Sequence, residues 1–143
     1  MSLVHLPGKF ISFECEDALD DHGYVLYLKS NGKVAKCAAG AVPIGVNFKD
    51  TKNPITGTAE EDRNVPVQLD GVADVMYYLA AGDDDISIGD LVMAHQSQAG
   101  YITKYTTDQD SKLIVGIALE SATAPAEGTK TGHIKVLLRC GRR

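Results

Sequence analysis

The apolar residues of this chain fall into short runs separated by polar and glycine-rich turns. Short runs rich in Val, Ile, Tyr and Phe, with turn residues between them, are typical of β-sandwiches and β-barrels. Asn31-Gly32 predicts a tight hairpin, because both residues accept positive φ. The pattern therefore predicts an all-β fold, with strands in FISF (10–13), YVLYL (24–28), KVAKC (33–37), PIGVNF (43–48), VPVQL (65–69), DLVMA (90–94), GYITKY (100–105), LIVGIAL (113–119) and HIKVLL (133–138).

One further segment fits either a helix or a strand. Val72, Val75, Met76 and Leu79 recur at helical spacing, and Gly82 would end such a helix. The same segment is crowded with β-branched and aromatic residues, which favour a strand. The sequence alone leaves both interpretations open.

The second half of the chain resembles the first half in outline. Each match is short, but all four come in the same order along the chain, and the differences in spacing fall in turns. The pattern predicts the internal duplication of a β-unit. The matched blocks are GYVLYL (23–28) with GDLVMA (89–94), GKVAK (32–36) with GYITK (100–104), IGV (44–46) with VGI (115–117), and NVPVQL (64–69) with HIKVLL (133–138).

The densest acidic stretch is AAGDDDISIGDLV, residues 80–92. A calcium-binding EF-hand loop that began at Asp83 would need glycine at its sixth position and glutamate at its twelfth. Ile88 and Ala94 stand there instead, so the motif fails. The corresponding part of the first half, DALDDHGYVL at 17–26, also places acids before a glycine and a strand. We therefore expect a solvated loop that leads into a strand, with a weak cation site as the alternative.

The other polar residues predict no enzyme, no metal centre and no cofactor. The cysteines are far apart and lack a neighbouring base, and the histidines lack metal-ligand spacing. Nucleophile-elbow, dinucleotide and P-loop motifs are absent from the sequence. We expect reduced, half-buried thiols and surface or strand-edge imidazoles at Cys15, Cys37, Cys140, His5, His22, His95 and His133.

The composition of the chain limits the kinds of partner that we expect it to bind. The chain has 143 residues, of which 44% are apolar and 23% charged, so we expect one folded domain. The net charge of −5, with scattered Lys and Arg, argues against nucleic-acid binding. The apolar runs are too short to span a membrane. The N-terminal sequence lacks the charged leader and long apolar core of a signal peptide, so we expect none.

The two ends of the chain differ from its middle. Leu3, Val4, Leu6 and Phe10 flank Pro7-Gly8 before the first core strand. Such an apolar lead either stays disordered or docks on a neighbour. The sequence therefore predicts an N-terminal arm at 1–9, which makes contacts together with Phe10, and an all-β domain at 10–143. The small polar residues of 121–132 predict an exposed loop between the last two strands.

The second half of the chain resembles the capsid decoration (cement) proteins of tailed phages. In that family a GD-V strand leads to a short hairpin, a VG-ALE-A strand follows, and an alternating apolar strand closes the chain. The likeness covers about residues 65–138, and HQSQ (95–98) and the segment at 48–64 depart from the compact pattern. The matching residues are Gly89, Asp90, Val92, Gly100, Ile102, Val115, Gly116, Ala118, Leu119, Glu120, Ala122, Ile134, Val136 and Leu138.

The resemblance implies a role and a set of partners. It implies a compact β-barrel or β-tulip-like domain that forms homotrimers and binds major capsid protein on the outer surface of a bacteriophage virion assembled in the host cytoplasm. It implies no enzymatic activity and no cofactor. Two alternatives are another virion or tail β-module and, of a different class, a small trimeric all-β nucleotide hydrolase. The substrate motif of such hydrolases is not visible in the sequence.

Overall fold

The computed structural model describes residues 9–140, and it is built almost entirely from β-strands. The all-β prediction is therefore confirmed. A single 3-10 turn at Ser111–Leu113 is the one helical element in this range, and none of its residues lies in a helix that could cross a bilayer. The strands are β1 (Phe10–Cys15), β2 (Val25–Leu28), β3 (Val34–Lys36), β4 (Pro43–Asn47), β5 (Arg63–Gln68), β6 (Gly71–Ala80), β7 (Leu91–Ala94), β8 (Ile102–Lys104), β9 (Ile114–Ala118) and β10 (Thr129–Leu138).

Two segments clarify or correct the sequence predictions. The ambiguous run around Val75 is strand β6, which pairs along its full length with β10. Its side chains at 73, 75, 77 and 79 are buried on one face, so the period of two prevails over the helical spacing. The loop predicted at 121–132 is too long, because β10 already begins at Thr129 to pair with the far end of β6.

The ten strands close into two five-stranded barrels. Barrel 1 has the strand order β1-β3-β2-β4-β5, and barrel 2 has the order β6-β8-β7-β9-β10. Counted along the sequence, the first strand of each barrel (β1 or β6) pairs in parallel with the third (β3 or β8). It pairs antiparallel with the fifth (β5 or β10). The chain passes directly from barrel 1 to barrel 2 between β5 and β6. One compact domain therefore contains two small barrels.

The two barrels agree in register as well as in strand order. Leu26 pairs with Gly45 in barrel 1, and Val92 pairs with Gly116 in barrel 2. A β-bulge follows Leu26 in β2 and Val92 in β7. The residues that correspond between the barrels are those that the sequence blocks aligned. Duplication as an event in descent stays a prediction, but the two units share one geometry.

The barrels pack on each other through a shared core. The main cluster of buried residues in barrel 2 also contains Val25 and Val46, which belong to strands of barrel 1. In the opposite direction, Met76 of β6 packs in the core cluster of barrel 1. Each barrel therefore covers part of the apolar surface of the other, which stabilises both.

Candidate functional site

A cluster of charged and imidazole side chains lies at the seam between the barrels. His22 and Asp21 come from the loop before β2, and His133, Lys135 and Asp74 come from β10 and β6. Because β10 and β6 pair in antiparallel register, Lys135 lies directly opposite Asp74. Their side chains form a direct ion pair. The seam therefore joins polar groups that lie far apart in the sequence.

The two imidazoles of the seam are stacked. The rings of His22 and His133 lie face to face, with centroids 4.4 Å apart and planes 9° apart. His22 Nδ1 is 2.8 Å from Asp21 Oδ1, and His22 Nε2 is 3.7 Å from Asp74 Oδ2. His133 Nε2 is 3.0 Å from the backbone oxygen of His22. These contacts connect the β1–β2 loop of barrel 1 to β10 of barrel 2.

Asp74 is held in its charged form at this seam. Burial alone would raise the pKa of the Asp74 carboxyl. The hydrogen bond and charge of Lys135, together with the charges of His22 and His133, outweigh that effect and hold the pKa below its ordinary value. The carboxylate therefore serves as an acceptor in a network of ion pairs and hydrogen bonds.

Asp21, His22 and His133 are the one group of potential metal ligands within residues 9–140 whose donor atoms lie within 4.8 Å of one another. Two histidines that share an ion point their nitrogen lone pairs at a common position, whereas the lone pairs of stacked rings run parallel. His133 Nε2 also faces a carbonyl oxygen, so this nitrogen carries the proton and donates. A metal requires the unprotonated nitrogen. These three side chains are therefore better explained as contacts that hold the two barrels together than as a metal centre.

A cleft of about 300 Å³ opens beside this cluster. Its lining includes Asn47, which is 1% exposed. The Asn47 side chain accepts a hydrogen bond from the Tyr24 N–H and donates to the backbone oxygens of Asp21 and Lys49. The Asn47 amide thus holds the loop before β2 against the segment that follows β4. Phe48 lines the same cleft and contacts Phe10 edge-on, with ring centroids 5.1 Å apart.

Phe10 is the one predicted contact residue that the structure describes. It lies in β1, is half-buried and forms part of barrel 1. Leu3, Val4 and Leu6 lie outside the described residues, so their predicted contacts stay predictions. At the base of the arm, the Lys9 N–H donates to Asp70 Oδ1 at 2.6 Å, and the Lys9 backbone oxygen accepts from the Leu69 N–H. These two hydrogen bonds hold the backbone of Lys9, the last residue of the predicted arm, against the segment between β5 and β6.

The buried thiols do not have the surroundings of nucleophiles. Cys15 and Cys37 are fully buried. Burial is the main cause that raises the pKa of the Cys15 thiol to about 11, and burial raises the pKa of the Cys37 thiol to about 12. A reactive cysteine needs the opposite shift and partial exposure. Both thiols are therefore core residues, more deeply buried than the sequence predicted.

An exposed apolar row crosses barrel 2, and sequence reasoning missed it. Leu91 of β7 pairs with Ile117 of β9, and Ile117 pairs with Leu137 of β10. Leu91 and Leu137 are 39% and 38% exposed. Alternation of apolar and polar residues identifies the inner face of a strand, but it does not reveal which outer faces are covered by a second barrel. We call Leu91, Ile117 and Leu137 the open row.

Compared with models of known families, with curated proteins and with solved structures, this chain gives no significant match. The resemblance to decoration proteins therefore rests on the residues quoted above. Within the structure, those residues build barrel 2. Eight of them are buried in its core: Val92, Ile102, Val115, Ala118, Ala122, Ile134, Val136 and Leu138.

The acidic residues at 83–90 have structural roles that the prediction of a solvated loop did not include. They lie at the surface, but Asp83 Oδ2 accepts the Ala80 N–H at 2.7 Å. Asp85 Oδ1 accepts the Ala124 N–H, also at 2.7 Å. Asp90 Oδ2 accepts the Ser87 N–H at 2.8 Å. These carboxylates therefore satisfy backbone donors at the end of β6, in the segment between β9 and β10, and in the turn before β7.

Replacing these acids one at a time should separate their roles. We expect Asp83→Ala and Asp85→Ala each to lower the free energy of unfolding by about 1 kcal/mol, because each leaves a backbone N–H without its acceptor. Asp84→Ala should have little effect, because its side chain makes no hydrogen bond within the part of the chain described. Asparagine at 83 or 85 should retain most of the stability, since its amide oxygen still accepts. Urea denaturation measures all of these. A large rise in melting temperature with calcium, lost in the alanine variants, would instead indicate a cation site.

Proposed function

We propose that this protein is a capsid decoration protein that binds the outside of a major capsid protein lattice and stabilises the shell. The observation that carries the proposal is an apolar, exposed surface on the same barrel that bears the family-like residues. Large apolar side chains in register across three strands favour a binding role. The proposed partners are major capsid protein and further copies of the chain, as a homotrimer on the virion.

The electrostatic character of the chain supports this role. The net charge of −5 keeps a small β-protein soluble before assembly. On a symmetric lattice, a trimer engages several equivalent sites at once, and weak contacts then add up to tight attachment. The apolar residues Leu3, Val4 and Leu6 of the predicted arm, which joins the domain at Lys9, would supply additional contacts.

The energetics of the arm favour a cooperative attachment. Burying three such side chains on a partner contributes roughly 1.5–3 kcal/mol each. Fixing the backbone costs about 1–2 kcal/mol per residue. For the four residues from Leu3 to Leu6, the gain of about 4.5–9 kcal/mol and the cost of about 4–8 kcal/mol nearly cancel, so tight binding requires several arms on one particle.

Deletion of residues 2–9 tests the proposal. The experiment uses shells assembled from the major capsid protein of the same genome, and it measures co-sedimentation. We expect the full chain to co-sediment, and the deletion to weaken binding by about 100-fold or more while the barrels stay folded. Replacing Leu3, Val4 and Leu6 with Ser should act like the deletion, whereas His5→Ser, a polar change in the same arm, should not.

One outcome would exclude the proposal, and a second would exclude only the role of the arm. A full chain that never co-sediments with shells would exclude the decoration role. A truncated chain that binds shells as tightly as the full chain would place the contact on the β domain and not on the arm. Circular dichroism of each variant confirms that the barrels are intact.

A further inference from the structure

The two equivalent barrels meet in an unequal way. On barrel 1, Gly23 is buried, and a Cβ added there would lie 2.9 Å from the Asp74 backbone oxygen and 3.0 Å from the His133 ring. Its counterpart on barrel 2 is Gly89, which has the same φ of 92° and nothing within 4 Å of an added Cβ. The same position is therefore covered in one barrel and open in the other.

The rows of outward-facing residues differ in the same way: the row is covered on barrel 1 and exposed on barrel 2. In barrel 1, Val25 of β2, Val46 of β4 and Gln68 of β5 form the row that corresponds to the open row. These three residues are at most 1% exposed. The residues of the open row are more apolar than this set, because Leu137 stands where barrel 1 has Gln68. Barrel 2 thus exposes a surface whose counterpart is fully covered.

A backbone bridge completes the covered contact. In barrel 1, the Cys37 N–H donates to the Val25 backbone oxygen at 2.8 Å. Gly100 of barrel 2 joins this strand end, because its oxygen accepts the Val25 N–H at 2.8 Å and its N–H donates to the Cys37 oxygen at 3.2 Å. The equivalent strand end in barrel 2 has the Tyr105 N–H donating to the Leu91 oxygen. Outside the strand ladders, no group in residues 9–140 bonds to the Leu91 N–H or the Tyr105 oxygen.

The β7–β8 hairpin, which makes this bridge, has an exposed counterpart in barrel 1. Gly100 at the β7–β8 hairpin corresponds to Gly32 at the β2–β3 hairpin, and their φ values are 89° and 85°. A Cβ on Gly100 would lie 2.9 Å from the Tyr24 ring, whereas a Cβ on Gly32 would meet nothing within 4 Å. Barrel 1 therefore carries an exposed hairpin at the position equivalent to the one that barrel 2 inserts, with a loop of 29–33 in place of 95–101.

The charges at the open positions are complementary. In the covered contact, the rings of Tyr24 and Tyr101 meet edge to face, with centroids 5.7 Å apart. At the corresponding open positions stand Asp90 on barrel 2 and Lys33 on barrel 1. Each already lies near an oppositely charged side chain of its own barrel, at 3.7 Å for Asp90 and 3.1 Å for Lys33, so a second copy would extend these ion pairs. A second copy docked in the same way would place its Lys33 beside Asp90, so attraction between opposite charges would replace the aromatic contact.

We propose that barrel 2 of one copy binds barrel 1 of a second copy, head to tail, in the way that the two barrels bind within one chain. The Gly32 hairpin of the second copy occupies the strand end at Leu91 and Tyr105, and the open row becomes buried beneath it. A head-to-tail contact closes into a ring or continues as a chain. Self-association in solution does not depend on binding to capsids. It assigns the open row to the contact between copies, which leaves the N-terminal arm and the outer surface of the assembled copies for the shell.

Two variants on opposite faces of the contact test the proposal. Leu137→Asp places a charge in the open row, at a position that is already partly exposed. Gly32→Asn keeps the positive φ of the hairpin, which asparagine tolerates, but adds bulk where the close approach occurs. Ile55→Asp is the matched control, because Ile55 is 92% exposed and lies outside both faces. Sedimentation velocity over a concentration series measures the dissociation constant of each protein.

We expect the wild-type chain and Ile55→Asp to associate alike, and each face variant to associate at least about tenfold more weakly, which corresponds to about 1.4 kcal/mol. An equimolar mixture of Leu137→Asp and Gly32→Asn should form a one-to-one dimer, since each supplies the face that the other lacks. Melting temperatures confirm that the variants are folded.

Three results would overturn the head-to-tail contact. A wild-type chain that stays monomeric at every concentration excludes it. Association that survives both variants places the contact elsewhere. Association that Leu137→Asp abolishes and Gly32→Asn leaves intact indicates a symmetric contact between two open rows. A monomeric chain that still co-sediments with shells would reject this inference and keep the proposed function.

Discussion

Gly116→Ala is expected to lower the free energy of unfolding by about 3 kcal/mol or more. Gly116 lies in β9, where that strand passes close to β10. A Cβ at this position would lie 2.1 Å from the backbone oxygen of Leu137 and 2.9 Å from a side-chain carbon of Val136. The first distance is far inside van der Waals contact, and a backbone oxygen cannot turn away as a flexible side chain can. The two strands would have to separate, and the barrel closure between them would weaken.

Chemical denaturation of Gly132→Ala provides the matched control. Gly132 lies in β10 of the same sheet, and the nearest obstacle to its added Cβ is the Tyr77 side chain. We expect a smaller loss there, because a ring can shift more easily than a strand. Gly45→Ala in barrel 1 should act like Gly116→Ala, since its Cβ would lie 2.3 Å from the Gln68 backbone oxygen. A Gly116→Ala protein as stable as wild type would mean that β9 and β10 do not approach as described.

Gly23→Ala should destabilise the protein by about 1–3 kcal/mol more than Gly89→Ala. Both glycines have a φ of 92°, so alanine pays a similar conformational cost of about 1–2 kcal/mol at each position. Only at Gly23 does the added methyl also meet the Asp74 backbone oxygen and the His133 ring. The difference between the two variants therefore isolates the packing of barrel 2 on barrel 1.

Urea denaturation of both variants, analysed with the same slope, gives this difference directly. Equal losses at the two positions would show that the seam near His133 is looser than the distances indicate. A larger loss at Gly89 would show that this glycine has a contact in solution that the isolated chain does not provide.

Much of the local structure could be predicted from the sequence because local chemistry determines it. Each predicted strand contains or overlaps an observed strand. Asn31-Gly32 lies in the hairpin between β2 and β3 as predicted, but only Gly32 adopts a positive φ there, so the expectation of positive φ at both residues is wrong. The aligned IGV and VGI blocks place Gly45 and Gly116 at the same strand crossing in the two barrels. Backbone sterics and side-chain alternation are properties of neighbouring residues, so short windows of sequence carry them.

The arrangement of the barrels could not be predicted in this way. His22 and His133 are 111 positions apart in the sequence, and their stacking depends on how one closed sheet rests on the other. The exposure of Leu137 depends on the same packing, since its counterpart Gln68 is buried. Neither hydrophobic period nor residue spacing encodes which outer face a second barrel covers. The polar seam and the open row were therefore beyond sequence reasoning.

The closure of both sheets limits how any partner can attach. Every strand of each barrel has a neighbour on both sides, so neither sheet has an edge strand, although β1–β3 and β6–β8 are each joined through one residue pair. Open edges invite other chains to add a strand through main-chain hydrogen bonds, which accept almost any sequence. This molecule forgoes that promiscuous route and its hazard of amyloid-like pairing. Recognition therefore depends on side chains and on short strand ends, such as the one at Leu91 and Tyr105, so single substitutions can change it while the scaffold stays unchanged.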